Sequence, residues 1–273
     1  MKRSSSARLG ATAVVGVLSL ALVTGCSDSG SDDTKDTGSG SASGSGSGTQ
    51  AAKALSAAEL KGVILAQGDV EGYKIGPVEE SMTSSKSDMK TDEKCLPIAY
   101  VMSGLAPGDA AAETNRMATQ EKEPTDTASQ SMEDLDEGEF EDAFTDALSV
   151  DVTIVGLSSY EGAGAEETMA AVSDAVKGCA GGFSATSEGE EAKVTKVAEE
   201  KATGGGDASV AFAVTGEMDE SGGDTSTVHA QVVRHGSTIA TYYTLNLGAM
   251  MSGGGEEYSV PAALVEAQAA KLK

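Results

Sequence analysis

The sequence has no tryptophan, and aromatic residues make up only 4% of its 273 residues. Its core must therefore be built from Val, Ala, Leu and Met with a few Tyr and Phe, and a sugar-binding platform of stacked rings is not expected. Only two histidines and three cysteines are present. That inventory leaves few Cys or His side chains to bind a metal or to take part in nucleophilic catalysis.

Basic residues are also scarce, since 19 Lys and Arg stand against 43 Asp and Glu, for a formal net charge of −24. Binding to nucleic acid or to anionic lipid depends on Lys and Arg that neutralise phosphates. The charge balance therefore argues against both as partners. An acidic surface is expected to be solvated, and it permits weak binding of divalent cations or cationic ligands.

Only one long apolar run is present, from Leu9 to Val23. It follows a basic N-terminus and ends in the tetrapeptide Val23-Thr24-Gly25-Cys26, which is the lipobox pattern of a secretory signal peptide over residues 1–25. Cys26 is then the residue that is acylated and becomes the first of the mature chain. The alternative is a retained transmembrane helix, but a span needs about 20 apolar residues and this run is shorter and interrupted by Gly.

Residues 26–50 consist almost wholly of Ser, Gly, Asp and Thr. Such a segment is a flexible tether with a reach of about 25–30 Å. We therefore expect a domain over 51–273 that is held at the extracytoplasmic face of the cell membrane by the lipid on Cys26. A diacylated cysteine is a stable anchor where a single acyl chain is marginal.

With Cys26 assigned to lipid, Cys95 and Cys179 remain. Two remaining cysteines in an exported protein predict a disulfide. A disulfide between Cys95 and Cys179 closes a loop of roughly 85 residues and stabilises the fold by about 4.6 kcal/mol in the chain-entropy model. The alternative is two free thiols or a metal pair, and no histidine spacing supports the metal.

The period of the apolar residues predicts a single α+β domain, with helices packed on one face of a largely antiparallel sheet. Helices are predicted from Ser56, where Glu59 completes a capping box, and over 95–102, 166–179 and 259–272. Strands are predicted over 72–78, 115–119, 146–160, 183–186, 193–202, 208–217, 226–234 and 237–247. The acidic segment 120–142 is predicted to be a loop or an exposed helix.

Two glycine-rich stretches are candidates for nucleotide-binding loops, but neither has the residues that such a loop needs. The tripeptide Gly162-Ala163-Gly164 precedes a predicted helix, but Glu166 and Glu167 would repel a pyrophosphate at its N-terminus. The run Gly204-Gly205-Gly206 lacks the Lys and Ser/Thr of a phosphate-binding loop and is interpreted as a turn. No cofactor is predicted.

Two acidic runs are candidates for calcium-binding loops. The first contains Asp134, Asp136 and Gly138, with the glycine one position too early, and the second, Asp219 to Asp224, has no glycine at the sixth position. Neither matches, so no metal site is predicted, although a low-affinity site stays open as an alternative.

The two histidines, His229 and His235, are six residues apart on one predicted strand and its turn. A catalytic triad would need one of them beside an activated Ser and an orienting carboxylate, and no nucleophile-elbow pattern is present. We interpret them as exposed strand and turn residues and predict no catalytic residue. The enzyme hypothesis that stays open uses His229 with a nearby acid.

The lipobox, the tether and the Ala-rich acidic domain resemble the lipoproteins of high-GC Gram-positive bacteria. The stretch from Leu65 to Tyr73, with Asp69 and Gly72, and the widely spaced cysteine pair further resemble the extracellular sensor domains of mycobacterial receptor Ser/Thr kinases and related lipoproteins. That resemblance implies a helix-decorated antiparallel sheet with a cleft for an unidentified ligand. Members of the family commonly have two disulfides, whereas this chain has cysteines for one.

These observations favour a lipid-anchored, non-enzymatic binding or sensing module whose ligand, a small molecule or a protein, is unknown. A second hypothesis is a carrier that holds an apolar or lipid molecule in a cavity between the sheet and its helices.

Overall fold

The computed structural model describes residues 53–79, 84–122, 149–187, 189–218, 224–252 and 258–273. The predicted signal peptide, Cys26, the tether and the first acidic run with Asp134 lie outside these ranges, as does most of the second run. Within the described ranges, no helix is long and apolar enough to cross a membrane.

The chain forms five helices and eight strands in the ranges that the structure describes. The helices are α1 (Ala57–Val63), α2 (Leu96–Met102), α3 (Gly164–Gly178), α4 (Leu247–Ser252) and α5 (Ala262–Lys271), and a short 3₁₀ turn, Glu93–Cys95, leads into α2. The strands are β1 (Tyr73–Gly76), β2 (Ala112–Gln120), β3 (Asp151–Ser159), β4 (Phe183–Ser187), β5 (Glu190–Glu200), β6 (Ala208–Glu217), β7 (Thr225–His235) and β8 (Thr238–Asn246).

All eight strands belong to one sheet in the order β1-β2-β3-β8-β7-β6-β5-β4, and each neighbouring pair is antiparallel. Strands β4 to β8 follow one another as a meander, and β8 then pairs with β3 at the centre. The predicted turn of the last hairpin is present, with Gly236 at φ 60°. The α+β class and the antiparallel sheet are therefore confirmed.

The placement of the helices differs from the prediction, because they cover both faces of the sheet. Helices α2 and α3 pack with Val152 and Phe212 in one apolar cluster. Helices α1 and α5 pack with Val155 and Leu157 in a second cluster. Neighbouring side chains of a strand point to opposite faces, so the apolar stretch 152–157 of β3 requires cover on both sides.

Helix α1 is fixed at both ends. At its start Ser56 N donates to Glu59 Oε2 (2.8 Å) and Glu59 N donates to Ser56 Oγ (3.4 Å), which is the predicted capping box. At its end the buried amide of Gln268, on α5, donates to Val63 O (2.8 Å) and accepts from Leu65 N (2.9 Å). The two helices on this face are therefore joined by hydrogen bonds as well as by apolar contact.

The two helices on the other face are joined covalently. Cys95 and Cys179 form a disulfide with a Cα–Cα distance of 6.0 Å, and both residues are buried. The bond links the start of α2 to the end of α3. The cysteine pairing predicted from the sequence is therefore present.

Candidate binding site on the polar half of the sheet

The sheet face beneath α1 and α5 has two chemically different halves. One half is apolar and is covered by the two helices, through Val155, Leu157, Val233, Ala240 and Tyr242. On the other half, the residues that occupy the same face of the same strands are polar. We call that set the polar strip, and it consists of Tyr73, Gln120, Asp151, Thr153, Thr227, His229, Thr244 and Asn246.

The strand register aligns these residues across the sheet. Tyr73 lies opposite Gln120, and Asp151 lies opposite Asn246. One row closer to the centre, Thr244 is paired with Thr153 on one side and with His229 on the other. Because each residue is displaced by an even number of positions from a residue of the apolar half, all of them lie on the same face.

Within the strip, neighbouring hydroxyl groups satisfy one another. Thr153 Oγ1 and Thr244 Oγ1 are 2.9 Å apart and fully buried, and Thr227 Oγ1 lies 2.8 Å from Thr215 Oγ1 on β6. A buried hydroxyl without a partner would cost about 1–3 kcal/mol. These pairs allow polar residues to continue into the interior of the sheet without that cost.

Asp151, the first residue of β3, is held in place at both its backbone and its side chain. Its Oδ1 accepts a hydrogen bond from Asn246 Nδ2 (2.8 Å), and its backbone N donates to Gln120 Oε1 (3.4 Å). Asn246 is itself fixed, because its Oδ1 accepts from Ala249 N in α4 (2.9 Å). The carboxylate is therefore oriented by residues from β2, β8 and α4.

Tyr258 lies over the strip, on the segment that leads into α5. Its hydroxyl donates to the backbone oxygen of Thr227, and its ring meets that of His229 edge-on, with centroids 4.7 Å apart and an interplanar angle of 80°. Edge-to-face aromatic contacts of this kind are favourable. Both contacts fix Tyr258 against β7.

A pocket of about 380 Å³ opens between Tyr258 and the Asp151 end of the strip. We call it the Asp151 pocket. Its walls come from β1, β2, β3, β8 and the segment before α5, and they are Tyr73, Gln120, Lys122, Ser149, Asp151, Asn246, Tyr258, Ser259 and Pro261. A volume of this size suits a small polar metabolite.

Both phenols of the pocket remain neutral at physiological pH. Burial raises the pKa of Tyr258 to about 12, and the charges of Asp151 and Glu200 act in the same direction. Burial also raises the pKa of Tyr73, again with a contribution from Asp151. The Tyr73 hydroxyl can therefore donate or accept a hydrogen bond, whereas the Tyr258 hydroxyl, which already donates to Thr227 O, can accept one.

His229 differs from its interpretation as an exposed residue. Its side chain is 15% exposed, and its Nδ1 lies 3.0 Å from each carboxylate oxygen of Glu200 on β5. A carboxylate at Nδ1 holds the ring in one orientation and makes Nε2 the proton-accepting nitrogen of the neutral form. The enzyme hypothesis, which uses His229 with a nearby acid, therefore finds that acid in Glu200. No described Ser, Thr or Cys hydrogen-bonds to the imidazole.

His235 also differs from its interpretation as an exposed residue. It is half-buried, and burial lowers its pKa, so the neutral ring is favoured at physiological pH. Its Nε2 is buried without a hydrogen-bond partner in the part of the chain that the structure describes. It lies at the end of β7, away from Asp151.

The glycine-rich stretches form turns rather than a ligand loop. Gly162, with φ 59°, reverses the chain before α3, and that helix begins at Gly164, two residues earlier than predicted. Gly204 has φ 73°, and a Cβ there would lie 2.6 Å from Val265 of α5. In the described ranges, no group of three His, Cys, Asp or Glu side chains is placed to hold a metal ion.

The carrier hypothesis expects an apolar cavity between the sheet and its helices. Where α3 meets the sheet, Val172 and Phe212 are 0% exposed, and the contact is packed. A groove of about 380 Å³ lies between α2 and the sheet edge formed by β4 and β5, and its lining combines Met89, Met102 and Phe183 with Ser103, Glu190 and Glu191. The carrier function stays a prediction.

The Asp151 pocket was not predicted from the sequence. Residues Asp151 and Thr153 alternate with apolar residues on β3, and Thr244 and Asn246 do the same on β8. These two alternating patterns were the only indication of the pocket in the sequence. Only the antiparallel register, which puts the start of β3 beside the end of β8, brings them together.

No protein-family model matches this chain, and no curated protein gives a significant match. Among solved structures, the fold is similar to the crystal structure of the extracellular domain of PknH from Mycobacterium tuberculosis. The TM-score is 0.43 at 10% sequence identity, and the match covers 81% of this chain and 95% of that one. This similarity is too low for any property of that domain to be transferred to this chain.

Proposed function

We propose that this protein is a lipid-anchored, extracytoplasmic binding or sensing module, without catalytic activity, that holds a small polar ligand in the Asp151 pocket. The observation that carries the binding role is the pocket itself. A fixed carboxylate, two neutral phenols and a side-chain amide converge on a space of about 380 Å³. In ligand sites, a small number of precisely placed polar groups fixes the orientation of the ligand.

The extracytoplasmic location is supported by two independent features of the chain. The sequence Val23-Thr24-Gly25-Cys26 closes an export signal. The disulfide between Cys95 and Cys179 is of a kind that persists in oxidising compartments and is rare in the cytosol. The lipid on Cys26 would hold the domain to the membrane, and the Ser/Gly-rich segment would let it reorient.

The anchor is tested by metabolic labelling with palmitate in a host that acylates bacterial lipoproteins. We expect the full chain to be labelled and to sediment with membranes. The variant Cys26→Ala should be neither labelled nor sedimented. Equal labelling of the two chains would refute the anchor.

The binding role is tested by a separate experiment. The full chain is screened by ligand-observed NMR against pools of small sugars, amino acids, amines and organic acids. A hit that binds through the pocket should lose affinity at least about tenfold when Tyr258→Ala removes one wall, as expected for a residue that contacts the ligand. If no pool contains a ligand, or if every hit is insensitive to Tyr258→Ala, the pocket is not the binding site.

A further inference from the structure

We propose that the Asp151 pocket recognises a small molecule through a primary ammonium group, which binds the Asp151 carboxylate in the pocket that Tyr73 and Tyr258 also line. This inference rests on the proposed binding function and adds the chemical class of the ligand.

The hydrogen bonds of the Asp151 carboxylate support an ammonium ligand. Asn246 Nδ2 donates to only one of its two oxygens, at 2.8 Å. An ionised carboxylate can accept about four hydrogen bonds, so Asp151 has acceptor capacity left on the pocket side. An ammonium group supplies three donors, and charge-assisted hydrogen bonds are about twice as strong as neutral ones.

The charge balance around Asp151 is the second argument. In the described part of the chain, the ion pairs join Lys193 to Glu217, His229 to Glu200, Arg234 to Glu166 and Asp207, and Lys271 to Asp69. None of them involves Asp151, so no described Lys or Arg neutralises it at salt-bridge distance. A ligand cation would complete the pair that the fold leaves open.

The aromatic walls are the third argument. Tyr73 and Tyr258 both line the pocket, and the Asp151 charge acts on both phenols. Aromatic faces attract cations, and a carboxylate beside two rings therefore favours an ammonium group over a neutral hydroxyl. An anionic ligand would be repelled by Asp151 and by the overall charge of −24.

Lys122 also lines the pocket, but it has an interaction of its own within the fold. The ligand's cation is therefore expected at the Asp151 carboxylate, where the fixed negative charge of the pocket is located.

The experiment compares three two-carbon probes that share one hydroxyl group: ethanolamine, ethylene glycol and glycolate. Each is titrated against the full chain by saturation-transfer difference NMR, at about 0.15 M salt so that the acidic surface is screened. We expect ethanolamine to bind and the neutral and anionic probes to bind at least about tenfold more weakly.

The matched variants are Asp151→Asn and Asp174→Asn, which remove the same charge from the pocket and from the exposed surface of α3. Asparagine at 151 can still accept from Asn246, so the strand ends stay joined. Asp151→Asn should weaken ethanolamine binding at least about tenfold, and Asp174→Asn should change it less than about twofold.

Several results would overturn the proposal: no binding of ethanolamine, equal binding of ethylene glycol, preferred binding of glycolate, or equal loss in both variants. These outcomes leave the proposed function separately testable. A sugar or an acid from the screen that depends on Tyr258 would keep the pocket as a binding site and exclude the ammonium ligand.

Discussion

His229 and Glu200 form a pair in which Nδ1 of the imidazole lies 3.0 Å from both oxygens of the carboxylate. The residues come from β7 and β5, two strands apart in the sheet. The pair is partly shielded from water, with the histidine side chain 15% and the glutamate side chain 33% exposed. The carboxylate therefore selects the tautomer that carries its proton on Nδ1 whenever the ring is neutral.

That tautomer can be measured directly. In ¹⁵N-detected NMR of the imidazole at a pH where the ring is neutral, His229 should carry its proton on Nδ1 in the wild type. In Glu200→Ala the proton should move to Nε2, the form that free imidazole side chains prefer. His235, which the substitution does not touch, is the control in the same spectrum. An unchanged His229 signal in the variant would contradict the assigned hydrogen bond.

Gln268 is expected to be the polar residue whose loss costs the most stability on the α1 side of the sheet. Gln268→Leu would leave the buried Leu65 N and the partly buried Val63 O without their partner, and a buried group left unsatisfied costs about 1–3 kcal/mol. Urea unfolding should therefore show a loss of at least about 1–3 kcal/mol with an unchanged slope. The matched control is Glu266→Gln, two residues away on the exposed side of α5, which should change the unfolding free energy by less than about 0.5 kcal/mol. Equal effects would contradict the capping role.

The sequence predicted local features well and long-range ones poorly. The capping box at Ser56, the hairpin at His235-Gly236 and β6 over Ala208–Glu217 follow from short-range patterns, and the structure has each of them. Gln268 could not be anticipated, because its partners Val63 and Leu65 are more than 200 positions away. The short helix α4 was missed because Leu247 continues the apolar pattern of β8.

The two-sided cover of the sheet has the same explanation. The alternation along β3 identifies which residues share a face, but it does not say which helix covers that face. The Asp151 pocket depends on five separate segments that meet only in the folded chain. Its polar residues could be read from the sequence, and their convergence could not.

Because the fold contains a disulfide, its stability should fall when a reductant is added. Cys95 and Cys179 close a loop with a sequence separation of 84, and both are buried between α2 and α3. The double variant Cys95→Ser/Cys179→Ser should lose up to about 4.6 kcal/mol, the chain-entropy value for such a loop. Dithiothreitol should lower the melting temperature of the wild type and leave that of the variant unchanged. A wild type that is insensitive to the reductant after unfolding and refolding would contradict a stabilising bond.

The pair of Asp69 and Lys271 should make the free energy of unfolding depend on pH in a defined direction. Asp69 follows α1, Lys271 ends α5, and their side chains are 2.5 Å apart. The hydrogen bond from Lys271, followed by the one from Ala66 N, lowers the pKa of Asp69 below its ordinary value of 3.8. Because the pKa of Asp69 is lower in the folded chain than in the unfolded chain, its ionised form stabilises the fold. This stabilisation is complete at pH values above the unfolded-state pKa, and it is lost as the pH falls through the folded-state pKa.

The expected result is that Asp69→Asn costs up to about 1 kcal/mol at neutral pH, since the pair is partly exposed and screened by solvent. The difference between variant and wild type should begin to shrink near pH 3.8 and continue to shrink below it. Urea unfolding of both chains at several pH values measures this difference. A difference that stays constant into the acid range would show that the carboxylate charge is not its source.

The substitution Tyr242→Phe should stabilise the protein. Its hydroxyl is buried in the apolar half of the sheet face, with no hydrogen-bond partner among the described residues, and burial raises its pKa strongly. Tyr242→Phe removes the unsatisfied hydroxyl and keeps the ring, so the unfolding free energy should rise by about 1 kcal/mol. The control is Tyr160→Phe, because the Tyr160 hydroxyl lies 3.1 Å from Ser158 Oγ and its loss should destabilise the fold. The opposite signs of the two changes, measured by urea unfolding, separate an unsatisfied hydroxyl from a satisfied one. Destabilisation by Tyr242→Phe would mean that the hydroxyl does find a partner in solution.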